Sequence, residues 1–123
     1  MRRTDGVARR TVWGLAALSV AVAIAWGSLV PADALPPDLP WDKLNHLAAY
    51  AGLAGALGLA GRRLPVAGTA AVLYGVLIEL AQLGVPGRAG GDPLDILANT
   101  LGVLLACGGL LAWRRRPVSR GRS

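Results

Sequence analysis

Four apolar stretches separated by abrupt polar breaks run along the chain: Val12 to Val30, Leu44 to Ala60, Val66 to Leu83 and Ile96 to Trp113, of 19, 17, 18 and 18 residues. At about 1.5 Å rise per residue each can cross roughly 30 Å of hydrocarbon, the second only barely. Pro31, Pro36, Pro37 and Pro40 end the first stretch and stiffen the connector after it. "GRRLP" makes a minimal turn, with Pro65 suited to opening the third helix, so the second and third should pack as an antiparallel hairpin. "GVPGRAGGDPLD" is Gly-rich and predicts a mobile or unusually shaped backbone before Asp92-Pro93 starts the fourth helix. The pattern predicts an all-α membrane protein, a small bundle of four transmembrane helices forming one domain over residues 1–123.

Composition sharpens this reading. The chain is 54% hydrophobic and its mean hydropathy of +0.48 is too high for an ordinary soluble domain. The longest connector, Pro31 to Lys43, cannot hold a core of its own, so any chemistry must sit in the bundle or at its rim. The net charge of +6 would suit nucleic acid, but its distribution does not. Arg2, Arg3, Arg9, Arg10, Arg62, Arg63, Arg114, Arg115, Arg116, Arg120 and Arg122, eleven in all, fall on one side of the predicted bundle. Lys43 and Arg88 alone fall on the other, among Asp33, Asp38, Asp42, Asp92 and Asp95. The positive-inside rule then puts both termini in the cytoplasm and both acidic connectors outside, as in a multi-pass protein of the inner (cytoplasmic) membrane. Trp13, Trp26, Trp41 and Trp113 lie near span ends, where an indole prefers the headgroup level. Ala32-Asp33-Ala34 resembles a cleavage site, but the long first stretch and three further spans favour an uncleaved first helix.

The polar residues inside the spans are fewer and more informative. Asp42, His46 and Tyr50 lie within about 80° of one another on the second helix, a stripe descending some 12 Å into the membrane. Glu79 and Gln82 share a face of the third, and Asp95 and Asn99 a face of the fourth. Exposure of such groups to lipid costs several kcal/mol, so convergence within the bundle is expected, with His46, Lys43 or Arg88 as partner to Glu79. Residues 42–60 laid on 92–110 agree at seven positions of 19, six of them Ala, Leu or Gly. Both segments begin with an aspartate suited to capping and carry a small-residue repeat, Ala48-Gly52-Ala56 and Ala98-Gly102-Ala106, which predicts close approach of the second and fourth helices. Cys107 stands alone, a packing residue with no disulfide partner.

"DKLNHLAAY" resembles the Asp-Lys-x-x-His-x-x-x-Tyr signature of the VanZ-like membrane proteins. Glu79-x-x-Gln82, Arg88 and "DILANTLG" resemble further elements of that family, so the resemblance covers residues 42–102. Asp42, Lys43, His46, Tyr50, Glu79, Gln82, Arg88, Asp95, Asn99 and Gly102 occupy its motif positions. Leu47 departs from it, standing where relatives commonly carry an aromatic. The resemblance implies a role at the cell envelope, associated with low-level resistance to the glycopeptide teicoplanin, but not a reaction.

Three expectations follow, and they leave open whether the chain is an enzyme. The first is a binding or accessory protein acting on membrane lipids or a lipid-linked envelope precursor, with Asp42, Lys43, Tyr50, Gln82, Arg88 and Asn99 as binding residues. The second is an outer-leaflet hydrolase or transferase with Glu79, His46 or Asp95 as catalytic groups and Arg88 holding phosphate. The third is a small transporter or flippase, which four short helices could form only as a homo-oligomer. No cofactor is required, although a hard divalent cation such as Mg²⁺ on Asp42, Glu79 and Asp95 is allowed. Against a zinc enzyme, one histidine and one cysteine make a three-residue N/S site impossible without carboxylates or another subunit.

Overall fold

The protein is described by a computed structural model covering residues 2–31, 33, 42–88 and 90–117. Pro36, Pro37, Asp38, Pro40, Trp41 and the Asp42 side chain lie outside the described residues. The chain forms four helices, α1 (Arg2–Leu29), α2 (Asp42–Leu59), α3 (Leu64–Gln82) and α4 (Pro93–Arg114), with no strand among the described residues. Each begins earlier than its apolar stretch. α1 runs ten residues further, through Arg9 and Arg10, because arginine and alanine are good helix formers and Asp5 in the first turn complements the helix dipole. Pro65 in the first turn of α3 and Pro93 at the start of α4 need no backbone donor there, and Asp92 Oδ1 caps α4 by accepting from the Leu94 amide at 2.9 Å.

Three helices, α1 from Thr4, α3 and α4, are long and apolar enough to cross a membrane. The expected second span is not among them. Asp42, Lys43, Asn45 and His46 fill the first turns of α2, leaving Leu47 to Leu59, about 20 Å of apolar helix. Its packing compensates: α2 is central, lying mainly against α4 but also against α1 and α3, whereas α1 and α4 do not meet among the described residues. The core accordingly centres on α2, with Tyr50, Leu53, Ala54 and Ala56 packed against Ala17 and Ile24 of α1, Ala71 and Ile78 of α3 and Val103 of α4. The periphery is apolar, with Leu15, Leu18 and Val22 of α1, Leu73, Leu77 and Leu80 of α3 and Leu97, Leu104 and Leu105 of α4 exposed. Water would penalise such a surface; hydrocarbon would not.

The close pairing of α2 with α4 is as expected, but only half of the expected seam makes it. Ala98 and Gly102 of α4 are buried at the contact, and a Cβ on Gly102 would overlap the Leu47 carbonyl and come within 3.1 Å of the Ala51 amide. On α2, however, Ala48 and Gly52 are exposed, and nothing lies within 4 Å of where a Gly52 Cβ would be. The α2 ridge that meets α4 is Leu47, Ala51 and Gly55, where a Cβ on the last would lie 4.0 Å from the Ala106 Cβ. Polar turns explain the shift: rotating His46 towards Asn99 turns the Ala48–Gly52 row away.

The ends of the bundle differ in charge. At one, Arg10 lies against Gly61 and Arg114 Nη2 donates to the Gly58 carbonyl at 2.8 Å. At the other, Gln82 Nε2 donates to the Ser28 carbonyl and Arg88 Nε to that of Val30, each at 3.0 Å. The Gly-rich loop closes this second end with the bent backbone expected of it. Gly87 and Gly91 have φ of 75° and 73°, and a Cβ on Gly90 would sit 2.8 Å from the Glu79 carbonyl oxygen.

Candidate functional site

At the acidic end the N-terminal turns of α2 and α4 meet the last turns of α3, and their polar side chains converge. His46, on the second turn of α2, points Nδ1 at Asn99 Oδ1, 2.9 Å away on α4. A carbonyl oxygen only accepts, so Nδ1 donates in this pair, and in the neutral ring the lone pair is on Nε2. Space for this contact comes from α3: a Cβ on Gly75 would lie 3.0 Å from the Tyr50 ring and 3.1 Å from Asn99 Nδ2. Gly75 carries no side chain and was not legible as part of the site. Its spacing, one helical turn before Glu79 on the same face, is the signal that marks it.

Glu79 itself is 1% exposed and Asp95 6%. Glu79 Oε2 accepts from the Asp92 backbone amide at 3.3 Å, while Oε1 is enclosed with no hydrogen-bond partner among the described residues. The Tyr50 hydroxyl, equally enclosed, also lacks one. His46, Glu79 and Asp95 each offer a donor atom within 4.8 Å of the others. Two ionised carboxylates at that separation repel by about 3–4 kcal/mol at an effective dielectric constant of 20, so the pair calls for a cation or a shared proton.

Lys43 meets part of that demand. Its ammonium binds Asp95 Oδ1 and also Asp92 Oδ2, the latter at 3.0 Å, clamping the start of α2 onto the start of α4. The hydrogen bond to Asp95, then that to Asp92, holds the Lys43 pKa above its ordinary value. The Lys43 hydrogen bond, then the Leu94 amide, holds Asp92 below the usual carboxylate range.

Of the residues expected at the site, Lys43, His46, Tyr50, Glu79, Gln82, Asp95 and Asn99 gather at this end, and the Asp42 side chain lies outside the described residues. Two pairings differ from expectation. Lys43 turns to Asp92 and Asp95 rather than Glu79. Arg88 does not partner Glu79: its Nε and Nη2 donate to the Val30 and Gly27 carbonyls at the C-terminal end of α1. Gln82 works beside it on Ser28. An apolar groove of about 670 Å³ runs between α3 and α4 along Leu64, Gly68, Val103 and Cys107, and none of the polar cluster lines it. Cys107 is half-buried there, its Sγ 3.9 Å from the Leu64 carbonyl oxygen, consistent with packing. No family model, curated protein or solved structure matches the chain.

Proposed function

We propose that the chain is a VanZ-like protein of the inner membrane that acts at the cell envelope through the His46–Glu79–Asp95–Asn99 cluster. In this reading all four helices cross the bilayer, both termini are cytoplasmic and the cluster opens at the outer leaflet. There it binds a lipid headgroup or lipid-linked precursor and alters susceptibility to glycopeptides such as teicoplanin. The carrying observation is Glu79, a carboxylate 1% exposed with one oxygen left without a hydrogen-bond partner among the described residues, a costly arrangement that a bound ligand would relieve. The arginine-rich end of the bundle lies opposite this cluster, which supports the orientation. The burial of α2 between three helices supports its crossing despite polar first turns.

An outer-leaflet hydrolase or transferase is the second reading, favoured by two carboxylates and an imidazole within 4.8 Å. Arg88, engaged with the end of α1, gives it no phosphate clamp. Replacing Glu79→Gln or His46→Gln tests both readings. Each retains hydrogen-bonding capacity, so membrane abundance should hold while glycopeptide tolerance falls. Unaltered tolerance at normal abundance would reject a working site.

A further inference from the structure

Resting on the binding site just described, we propose that His46, Glu79 and Asp95 hold one divalent first-row transition cation. Their donor atoms lie within 4.8 Å of one another. Donors sharing an ion at about 2.0–2.4 Å can stand no more than about 4–4.8 Å apart, so the three lie near enough for one ion to draw them together. Donor chemistry narrows the ion. One imidazole with two carboxylates suits Mn²⁺, Zn²⁺ or Fe²⁺ better than Mg²⁺, which favours oxygen and water alone. Three protein ligands also leave coordination positions for water or an anionic headgroup.

Each candidate ligand has its own supporting partner. Asn99 Oδ1 accepts from His46 Nδ1 and directs the lone pair to Nε2. The Asp92 amide holds Glu79 Oε2. Lys43 holds Asp95 Oδ1. Second contacts of this kind orient ligands in metal sites and raise their basicity. Glu79 Oε1, enclosed and without a hydrogen-bond partner among the described residues, is the independent sign that something is missing from this set. A dication would balance the two carboxylates where Lys43, already shared with Asp92, cannot. Around the set, His46 is half-buried and the Lys43 side chain is 43% exposed. The ion would also supply the attraction for an anionic ligand that Arg88 is not placed to give.

The test uses full-length protein without a polyhistidine tag, purified in detergent, stripped with a chelator and titrated with Mn²⁺ while free ion is followed by electron paramagnetic resonance. About one Mn²⁺ should bind per chain, be displaced by Zn²⁺ and raise Tm. Glu79→Gln and His46→Gln should each weaken binding at least about tenfold and abolish the Tm rise. Cys107→Ala should bind as the unaltered chain does. Absence of stoichiometric binding at millimolar Mn²⁺ overturns the inference, as does unchanged affinity in His46→Gln, and both hold even if Glu79→Gln fails to fold. A chain that binds no cation but loses tolerance in Glu79→Gln sinks the inference alone. A chain that binds Mn²⁺ while both variants keep tolerance sinks the envelope reading alone.

Discussion

Gly102 of α4 lies directly against the Leu47 carbonyl of α2, so close that no side chain could stand between them. Gly102→Ala should therefore force the two helices apart, costing about 1–3 kcal/mol despite the better helix propensity of alanine. Gly52→Ala is the control, because nothing lies within 4 Å of its Cβ position. There alanine should stabilise by about 0.5–1 kcal/mol. Unfolding of both variants in detergent micelles measures the contrast, and equal effects would contradict the α2–α4 register.

The comparison of these two glycines shows what pattern alone conveys. Small residues at every fourth position correctly predict that α2 and α4 approach closely, because backbone approach needs them wherever it occurs. Which row of α2 is used cannot be read from spacing, since Ala51-Gly55 and Ala48-Gly52-Ala56 are adjacent rows that both offer small residues at every fourth position. Long-range polar pairing decides it. Similarly, polar residues in apolar helices mark Glu79, His46, Asp95 and Asn99 as convergent, yet the partners of Lys43 and Arg88 depend on loop geometry that leaves no trace in periodicity. The start of α4 is legible from Asp92-Pro93, which cap and open it, whereas that of α1 is not, because helix-forming arginines extend it ten residues before its apolar run.

Lys43 bridges two carboxylates of unequal burial, with Asp92 side-chain exposure at 35% and Asp95 at 9%. Lys43→Met should thus act chiefly through Asp95, whose buried charge loses a charged partner worth about 1.5–3 kcal/mol. Asp92→Asn should be much milder, because asparagine is as good an N-cap and the lost ion pair is exposed. Thermal unfolding of the two variants gives the order, and a Lys43→Met protein as stable as the unaltered chain would contradict the bridge.

Arg88 holds the end of α1 through the Val30 and Gly27 carbonyls. Arg88→Gln should lower stability by about 2 kcal/mol and reduce membrane abundance. Arg88→Lys should rescue only part of it, since an ammonium lacks the planar fork that reaches two carbonyls at once. Normal abundance with lost tolerance in Arg88→Gln would instead make Arg88 a ligand contact.

Orientation has a direct test in reporter fusions. Those at Leu39 and Gly87 should read outside, and those at Arg62 and Ser123 inside, because eleven of the 13 basic residues fall on the second side. A cytoplasmic signal from Leu39 would invert the bundle and put the cluster on the inner leaflet.

Tyr50 separates stability from function most cleanly. Its ring is 1% exposed and packs 6.5 Å from that of Tyr74, centroid to centroid, in the hollow left by Gly75. Its hydroxyl has no partner among the described residues, and an enclosed unpaired hydroxyl costs about 1–3 kcal/mol. Tyr50→Phe keeps the ring and opens no cavity of consequence, so it should stabilise the protein by about 1 kcal/mol. If the hydroxyl is kept for a ligand at the neighbouring cluster, the same variant should lose envelope activity while gaining stability, the trade expected where a site is held partly unsatisfied. Unfolding free energy and glycopeptide tolerance of Tyr50→Phe are therefore measured together. A fall in stability would mean that the hydroxyl has a protein partner, and a gain with undiminished tolerance would remove Tyr50 from the site.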